Sequence, residues 1–127
     1  MSDTGAPSPV DIHSPAMRTL AGADPARALT ILKRALELQP DNLSAWLNYA
    51  GLLRASGDVE AALDALTHAL AVEPRSFHAL LMKGSIFDRQ GDMPKAGRAY
   101  ALALLFAPPI EQLDPPTQTA TARAREV

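Results

Sequence analysis

Apolar residues along the chain fall three or four positions apart, in runs that are separated by short polar segments. In residues 43–74, one such run precedes Ser56-Gly57-Asp58 and a second run follows it. This spacing predicts two amphipathic helices joined by a tight turn. Gly57 suits the left-handed residue that ends a helix, and Asp58 suits the N-cap of the next helix.

This two-helix unit recurs at an interval of 34 residues. Five series share the interval: Pro40, Pro74 and Pro108; Ala28, Ala62 and Ala96; Ala35, Ala69 and Ala103; Leu36, Leu70 and Leu104; and Asp24, Asp58 and Asp92. The aspartates stand where the second helix of each unit begins, so each suits an N-cap. A fixed period of this length predicts an array of stacked repeats.

The unit resembles the tetratricopeptide repeat (TPR), in which large and small residues alternate at fixed helical positions. The matching residues are Trp46, Ala50, Leu53, Ala62, Leu66, Ala69 and Pro74 in one copy, and Leu80, Gly84, Phe87, Ala96, Tyr100, Ala103 and Pro108 in the next. Small residues let the helices of a hairpin approach closely, whereas large ones fill the gap between repeats. The resemblance implies an all-α, right-handed α-solenoid of three TPR helix hairpins plus a C-terminal capping helix.

The predicted domain organisation has three parts. They are a disordered N-terminal segment (1–12), three repeats (13–109) and a linker with a capping helix (110–127). The repeats are expected at about 13–42, 43–76 and 77–109. The first repeat is shortened, with its first helix interpreted as Ser14 to about Ala21, which suits a terminal repeat whose outer face meets solvent.

The segment after Pro108-Pro109 is predicted to cover the end of the array. Asp114 followed by Pro115 is a strong helix start. The surface to be covered is expected to include Leu102, Leu105 and Phe106, and the covering residues to be Ile110, Leu113, Ala120, Ala124 and Val127. Two expectations stay open, a capping helix that ends with the chain and a helix that leads into a further domain.

A second resemblance bears on that choice. The proline pair, then "EQL-x-PP" and a helix containing "AREV", resembles the junction in bacterial aspartyl/asparaginyl β-hydroxylase-type proteins. In these, a short TPR array precedes a jelly-roll oxygenase domain that uses iron and 2-oxoglutarate. The resemblance implies that this chain is the non-catalytic part of such a protein, since the residues of the oxygenase domain have no counterpart here.

Composition narrows the classes of function further. Aromatic residues are 5% of the 127 residues, and the net charge of −2 comes without a basic stripe, which argues against nucleic acid and anionic membranes as partners. Cysteine is absent, so disulfides and cysteine-based metal sites are excluded. The N-terminus lacks a signal-peptide pattern, and we expect a cytoplasmic protein.

No constellation of residues predicts catalysis. His13, His68 and His78 are not spaced as metal ligands, and glycines occur singly rather than in a phosphate-binding loop. We expect no cofactor and no enzymatic activity, with an unrecognised catalytic site as a remote alternative.

Partner binding is instead expected on the first helix of each repeat, which lines the concave face of a TPR array. The candidate residues are Leu47, Asn48, Arg54, His78, Leu81, Met82 and Arg89. The clamp with which TPR co-chaperones hold chaperone tails consists of two lysines, two asparagines and an arginine. Its places fall on His13, Met17, Asn48, His78 and Met82. Only Asn48 matches and the cations are missing, so binding of such tails is not expected. A protein or peptide ligand is predicted, with a freestanding bacterial adaptor as the alternative role and a monomer or weak homodimer as the state.

Overall fold

The computed structural model describes residues 22–127, and within that range the secondary structure is entirely helical. The α-helices are α1 (Pro25–Leu38), α2 (Leu43–Ala55), α3 (Val59–Val72), α4 (Phe77–Arg89), α5 (Met93–Leu105) and α6 (Pro115–Glu126), with a 3-10 turn at Ile110–Gln112. The predicted all-α class is confirmed. The expected disordered segment and the first helix of the first repeat lie outside the described residues.

Each helix begins with a side chain that accepts a hydrogen bond from the backbone N–H three residues later. The capping residues are Asp24, Asn42, Asp58, Ser76, Asp92 and Asp114, at distances between 3.0 and 3.4 Å. These bonds satisfy N–H groups that have no partner inside a helix. The four predicted aspartate caps are thereby confirmed, and the caps recur with the 34-residue period of the sequence.

The turns inside the two complete repeats have the same backbone geometry. Gly57 has a φ of 90° and Gly91 a φ of 80°, the left-handed conformation predicted for Gly57. After the second glycine, the backbone N–H of Asp92 donates to the carbonyl of Phe87 at 2.9 Å. That bond satisfies a carbonyl at the end of α4 while the chain reverses toward α5.

The chain divides into two compact units between Ala62 and Leu63. In the first unit α1 packs on α2 around a buried cluster of Ala28, Leu32, Leu36 and Ala45. Trp46 packs against this cluster and is half-buried. Its indole N–H donates to the carbonyl of Pro40 at 2.8 Å, which holds the polar edge of the ring at the helix start.

In the second unit α4 and α5 form a close hairpin. The buried cluster consists of Phe77, Leu80, Leu81, Ala96, Tyr100, Ala103, Leu113 and Ala124. A Cβ added at Gly84 would lie 2.5 Å from Cδ1 of Tyr100, closer than carbon atoms can approach. The small residue predicted at this place in the repeat is therefore what lets the ring of α5 rest on the backbone of α4.

The C-terminal segment folds back and packs on both helices of this hairpin. Leu113, Thr121 and Ala124 are its buried residues. The amide of Gln118 donates to the carbonyls of Ile110 at 3.0 Å and Leu113 at 2.9 Å, which ties α6 to the 3-10 turn before it. A capping helix is thus present at the predicted place.

The residues predicted for this contact were partly wrong. Leu102 and Leu105 are 47% and 71% exposed, because α6 packs on another side of α5, the side that carries Tyr100 and Ala103. Ile110 and Val127, expected to help cover them, are 36% and 43% exposed. The predicted roles of Leu113, Ala120, Ala124 and Phe106 are confirmed, since all four belong to or pack against the cluster of the second unit.

Candidate functional site

The predicted binding residues of the second unit lie on α4 with unequal exposure. His78 and Arg89 are exposed and Met82 is half-buried. With about 100° of rotation per residue, these three side chains project within roughly 40° of one another. They form one helical face, which combines a flexible apolar side chain with two polar ones that can carry positive charge.

Leu81 does not belong to that face, and its prediction as an accessible anchor was wrong. It is 6% exposed and lies in the same cluster as Leu113 and Ala124. The reason is the approach of α6, which packs on the side of α4 that carries Phe77 and Leu81. An apolar residue in the middle of a TPR helix can face a partner or the next helix along the chain, and here it faces the next helix.

The predicted residues of the first unit lie on α2. Leu47, Asn48 and Arg54 are all half-buried. The side-chain amide of Asn48 donates to the carbonyl of Ser44 at 3.0 Å, one turn earlier in the same helix. This bond orients the amide along the helix, so Asn48 presents a fixed rather than a freely rotating polar group.

An unpredicted polar cluster fixes the end of α4 beside Arg89. Both carboxylate oxygens of Asp88 accept hydrogen bonds from Arg123 of α6, at 2.8 Å from Nε and 3.0 Å from the terminal nitrogen. The hydroxyl of Tyr100 donates to Asp88 at 3.0 Å. Three helices therefore meet at a single carboxylate, in the bidentate geometry that makes arginine–carboxylate pairs strong.

This cluster shifts the titration of its members. The hydrogen bonds from Arg123 hold the pKa of Asp88 below its ordinary value, against a smaller opposing effect of burial. Burial, and then the bond to Asp88, raise the pKa of Tyr100. The charge of Asp88 is thus compensated by Arg123, whereas Arg89 forms no ion pair with any residue between 22 and 127.

Sequence reasoning missed Asp88, Tyr100 and Arg123 as a group. Asp88 and Arg123 stand 35 residues apart, and neither occupies a position at which the repeat pattern specifies a residue type. An available signal was the aspartate just before the end of α4, where a negative charge is unfavourable unless a cation approaches.

Within residues 22–127 no group of three His, Asp or Glu side chains could hold a metal ion. Over the same range no helix has the length and apolar character needed to cross a membrane. His68 is exposed on α3.

Comparison with known protein families matches residues 19–81 and, separately, residues 52–111 to the description "Tetratricopeptide repeat". The two matches overlap and together run from residue 19, inside the predicted first repeat, to the 3-10 turn before α6. The chain is a tetratricopeptide-repeat protein. Its α2 and α4 are the first helices of the second and third TPR repeats, and α1, α3 and α5 are second helices.

Solved structures agree with this membership. A P58(IPK) TPR domain is 28% identical, with a TM-score of 0.70, and is matched over 87% of this TPR protein and 31% of that chain. MamA is 19% identical, with a TM-score of 0.66, over 71% of this chain and 53% of that one. The chain thus spans about half or less of each of these structures. Comparison with curated proteins gave no match.

Proposed function

We propose that this TPR protein is an interaction module that binds a peptide or a partner domain through the first helices of its repeats. The observation that carries the proposal is the face of α4 formed by His78, Met82 and Arg89, which neither α5 nor α6 occupies in the second unit. TPR domains are in general protein-binding scaffolds, and this chain has the fold.

The chemistry of the face defines the ligand that would fit it. Met82 offers a deformable apolar contact, while His78 and Arg89 can donate hydrogen bonds to carbonyl or carboxylate oxygens. We propose that Leu47, Asn48 and Arg54 on α2 contribute in the same way to binding. A short helix or extended peptide with one apolar residue and flanking acceptors satisfies these groups.

The test compares two triple variants in affinity capture from the source organism, followed by titration calorimetry with each captured protein. The first variant combines Asn48→Ala, His78→Ala and Met82→Ala. The control combines Lys33→Ala, Thr67→Ala and Glu111→Ala, which alters three exposed side chains elsewhere. We expect the first variant to weaken binding at least about tenfold, equivalent to roughly 1.4 kcal/mol, and the control to bind as the unmodified chain does. If the first variant binds as tightly as the unmodified chain does, the proposal is wrong.

A finer proposal rests on the sequence resemblance alone. We propose that the module is the N-terminal, non-catalytic part of a cytoplasmic bacterial β-hydroxylase-like protein, acting as a monomer or weak homodimer. Asp114 and Pro115, which belong to the resembling segment, begin α6 here, and Ala124 of "AREV" is buried on that helix. Turnover of 2-oxoglutarate by the full-length gene product with ferrous iron tests this. A full-length product without turnover points instead to the freestanding adaptor.

A further inference from the structure

A pocket of about 480 Å³ lies between α4 and α5, away from the proposed binding face. Its lining combines apolar side chains with cationic ones. The apolar residues include Leu80, Phe87 and Leu102, and the cations are Lys83, Lys95 and Arg98. This volume is within the range of pockets that hold a ligand group.

The pocket and the proposed binding face occupy different sides of α4. Leu80 and Phe87 project about 140–180° away from His78 and Met82, and Lys83 projects about 100–140° away from them, given about 100° per residue. A ligand in the pocket would therefore touch none of the side chains assigned to the proposed function. The two surfaces can be tested independently.

The cations around the pocket are poorly compensated. Lys95 lies 3.9 Å from Asp92 in a pair that is largely exposed, and its Nζ lies 5.5 Å from the centre of the Phe87 ring. Lys83 and Arg98 form no ion pair with a carboxylate in the described part of the chain. Three cations around one pocket contrast with a net charge of −2 for the whole chain.

The apolar surface continues beyond the pocket along α5. Leu102 is 47% exposed, and Leu105, one turn further along α5, is 71% exposed. Large exposed leucines that follow each other along a helix beside a pocket are typical of a surface that another protein covers. The charge around the pocket then specifies what kind of protein segment that is.

We propose that this pocket binds an acidic segment of a partner protein, which inserts one large apolar side chain between α4 and α5. Carboxylates on either side of that side chain pair with Lys83, Lys95 and Arg98. The geometry favours a peptide over a membrane surface, because a membrane is not recognised by one concave pocket and is repelled by a chain of net negative charge. The site is additional to the proposed function and does not depend on it.

Fluorescence anisotropy with a labelled peptide tests the proposal on the full chain. The probe is EELFEE with blocked termini, so that no terminal carboxylate contributes to binding. Two further peptides separate the apolar contribution to binding from the electrostatic one. EESSEE lacks the apolar residues, and QQLFQQ lacks the carboxylates. The variant Lys95→Glu/Arg98→Glu is compared with Arg27→Glu/Lys33→Glu, which makes the same change of charge at exposed positions of α1.

We expect EELFEE to bind, and the substitutions at Lys95 and Arg98 to weaken its binding at least about tenfold while the α1 substitutions change it less than twofold. Both altered peptides should bind at least about tenfold more weakly than EELFEE. The Asn48/His78/Met82 variant should bind EELFEE normally.

Four outcomes overturn the proposal. They are absence of EELFEE binding, an equal loss of affinity in both charge variants, equal affinity for EESSEE or QQLFQQ, and loss of binding in the Asn48/His78/Met82 variant. A fifth contradicting outcome comes from sedimentation with vesicles that contain one-third phosphatidylserine. Vesicle binding that depends on Lys95 and Arg98 would show that this surface binds membranes instead. Thermal unfolding followed by circular dichroism verifies that each variant is folded.

Discussion

The contact between Gly84 and Tyr100 shows how one residue sets the spacing of two helices. The ring of Tyr100 is 2% exposed, and its hydroxyl is held by Asp88 at 3.0 Å, so the ring has neither space nor freedom to move aside. A methyl group at Gly84 would have to separate the helices. Packing of this density resists even one added carbon atom.

We expect Gly84→Ala to lower the free energy of unfolding by about 1–3 kcal/mol, because overpacking outweighs the gain in helix propensity. Gly97→Ala is the matched control, since Gly97 lies inside α5 with no atom within 4 Å of an added Cβ. That substitution should raise the free energy of unfolding by about 0.5–1 kcal/mol. Urea denaturation measures both, and stabilisation by Gly84→Ala would contradict the observed contact.

The roles of many individual residues could be predicted from their neighbours in the sequence. Aspartate caps and the left-handed Gly57 follow from rules that involve a few neighbouring residues, and the structure confirms them. Leu81 was not predictable in this way. Whether it faces a partner or the core depends on where α6 packs, and that contact joins residues far apart in the sequence.

At the scale of elements, α6 is held by both apolar packing and a charged group. Ala124 and Thr121 are buried against the hairpin, while Arg123 beside them reaches Asp88. The sequence predicted the start of this helix from Asp114 and Pro115, because caps are local signals. Its buried face was harder to predict, since Thr121 is a polar residue whose hydroxyl is satisfied by the carbonyl of Thr117 at 2.7 Å.

The pairing of α6 with α4 should depend on pH. Since the pKa of Asp88 in the folded chain lies below its ordinary value of 3.8, the ionised carboxylate stabilises the fold above that pH. The stabilisation is lost as the pH falls through the lowered pKa. We therefore expect Arg123→Gln to lower the melting temperature at neutral pH, and the difference from the unmodified chain to shrink below pH 3.8.

Arg125→Gln is the control for this experiment, because Arg125 is exposed on the same helix and forms no ion pair within residues 22–127. Thermal unfolding followed by circular dichroism across the acidic range measures both variants. A difference for Arg123→Gln that persists unchanged at the lowest pH would show that its effect does not pass through the Asp88 carboxylate.

At the scale of the whole molecule, the 34-residue period repeats the same backbone chemistry in successive turns. Gly57 and Gly91 have nearly equal φ values, and no atom lies within 4 Å of a Cβ added at either. Any cost of a side chain at these glycines is therefore conformational rather than steric. The period and the fold class could be predicted because the same residue pattern recurs in every repeat. A contact such as that between Asp88 and Arg123 occurs once, so no recurring pattern indicates it.

We expect Gly57→Ala and Gly91→Ala each to lower the free energy of unfolding by about 1–2 kcal/mol, the usual cost of a left-handed residue with a side chain. The double variant should lose the sum to within about 0.5 kcal/mol, because no atom lies within 4 Å of a Cβ added at either glycine. Chemical denaturation measures all three. A double variant that loses much less than the sum would show that the turns do not contribute independently.

The docking of α6 also limits how this sequence can be transplanted. Leu81 and Asp88 belong to the third repeat, yet Leu113, Ala124 and Arg123, which complete their surroundings, come after it. A chimera that joins this repeat to a foreign array at Leu105 would expose the Leu81 side chain to solvent. It would also leave the Asp88 carboxylate without its ion-pair partner. The smallest graftable segment is therefore residues 76–126, from the Ser76 cap to the end of α6, half as long again as the period that the sequence displays.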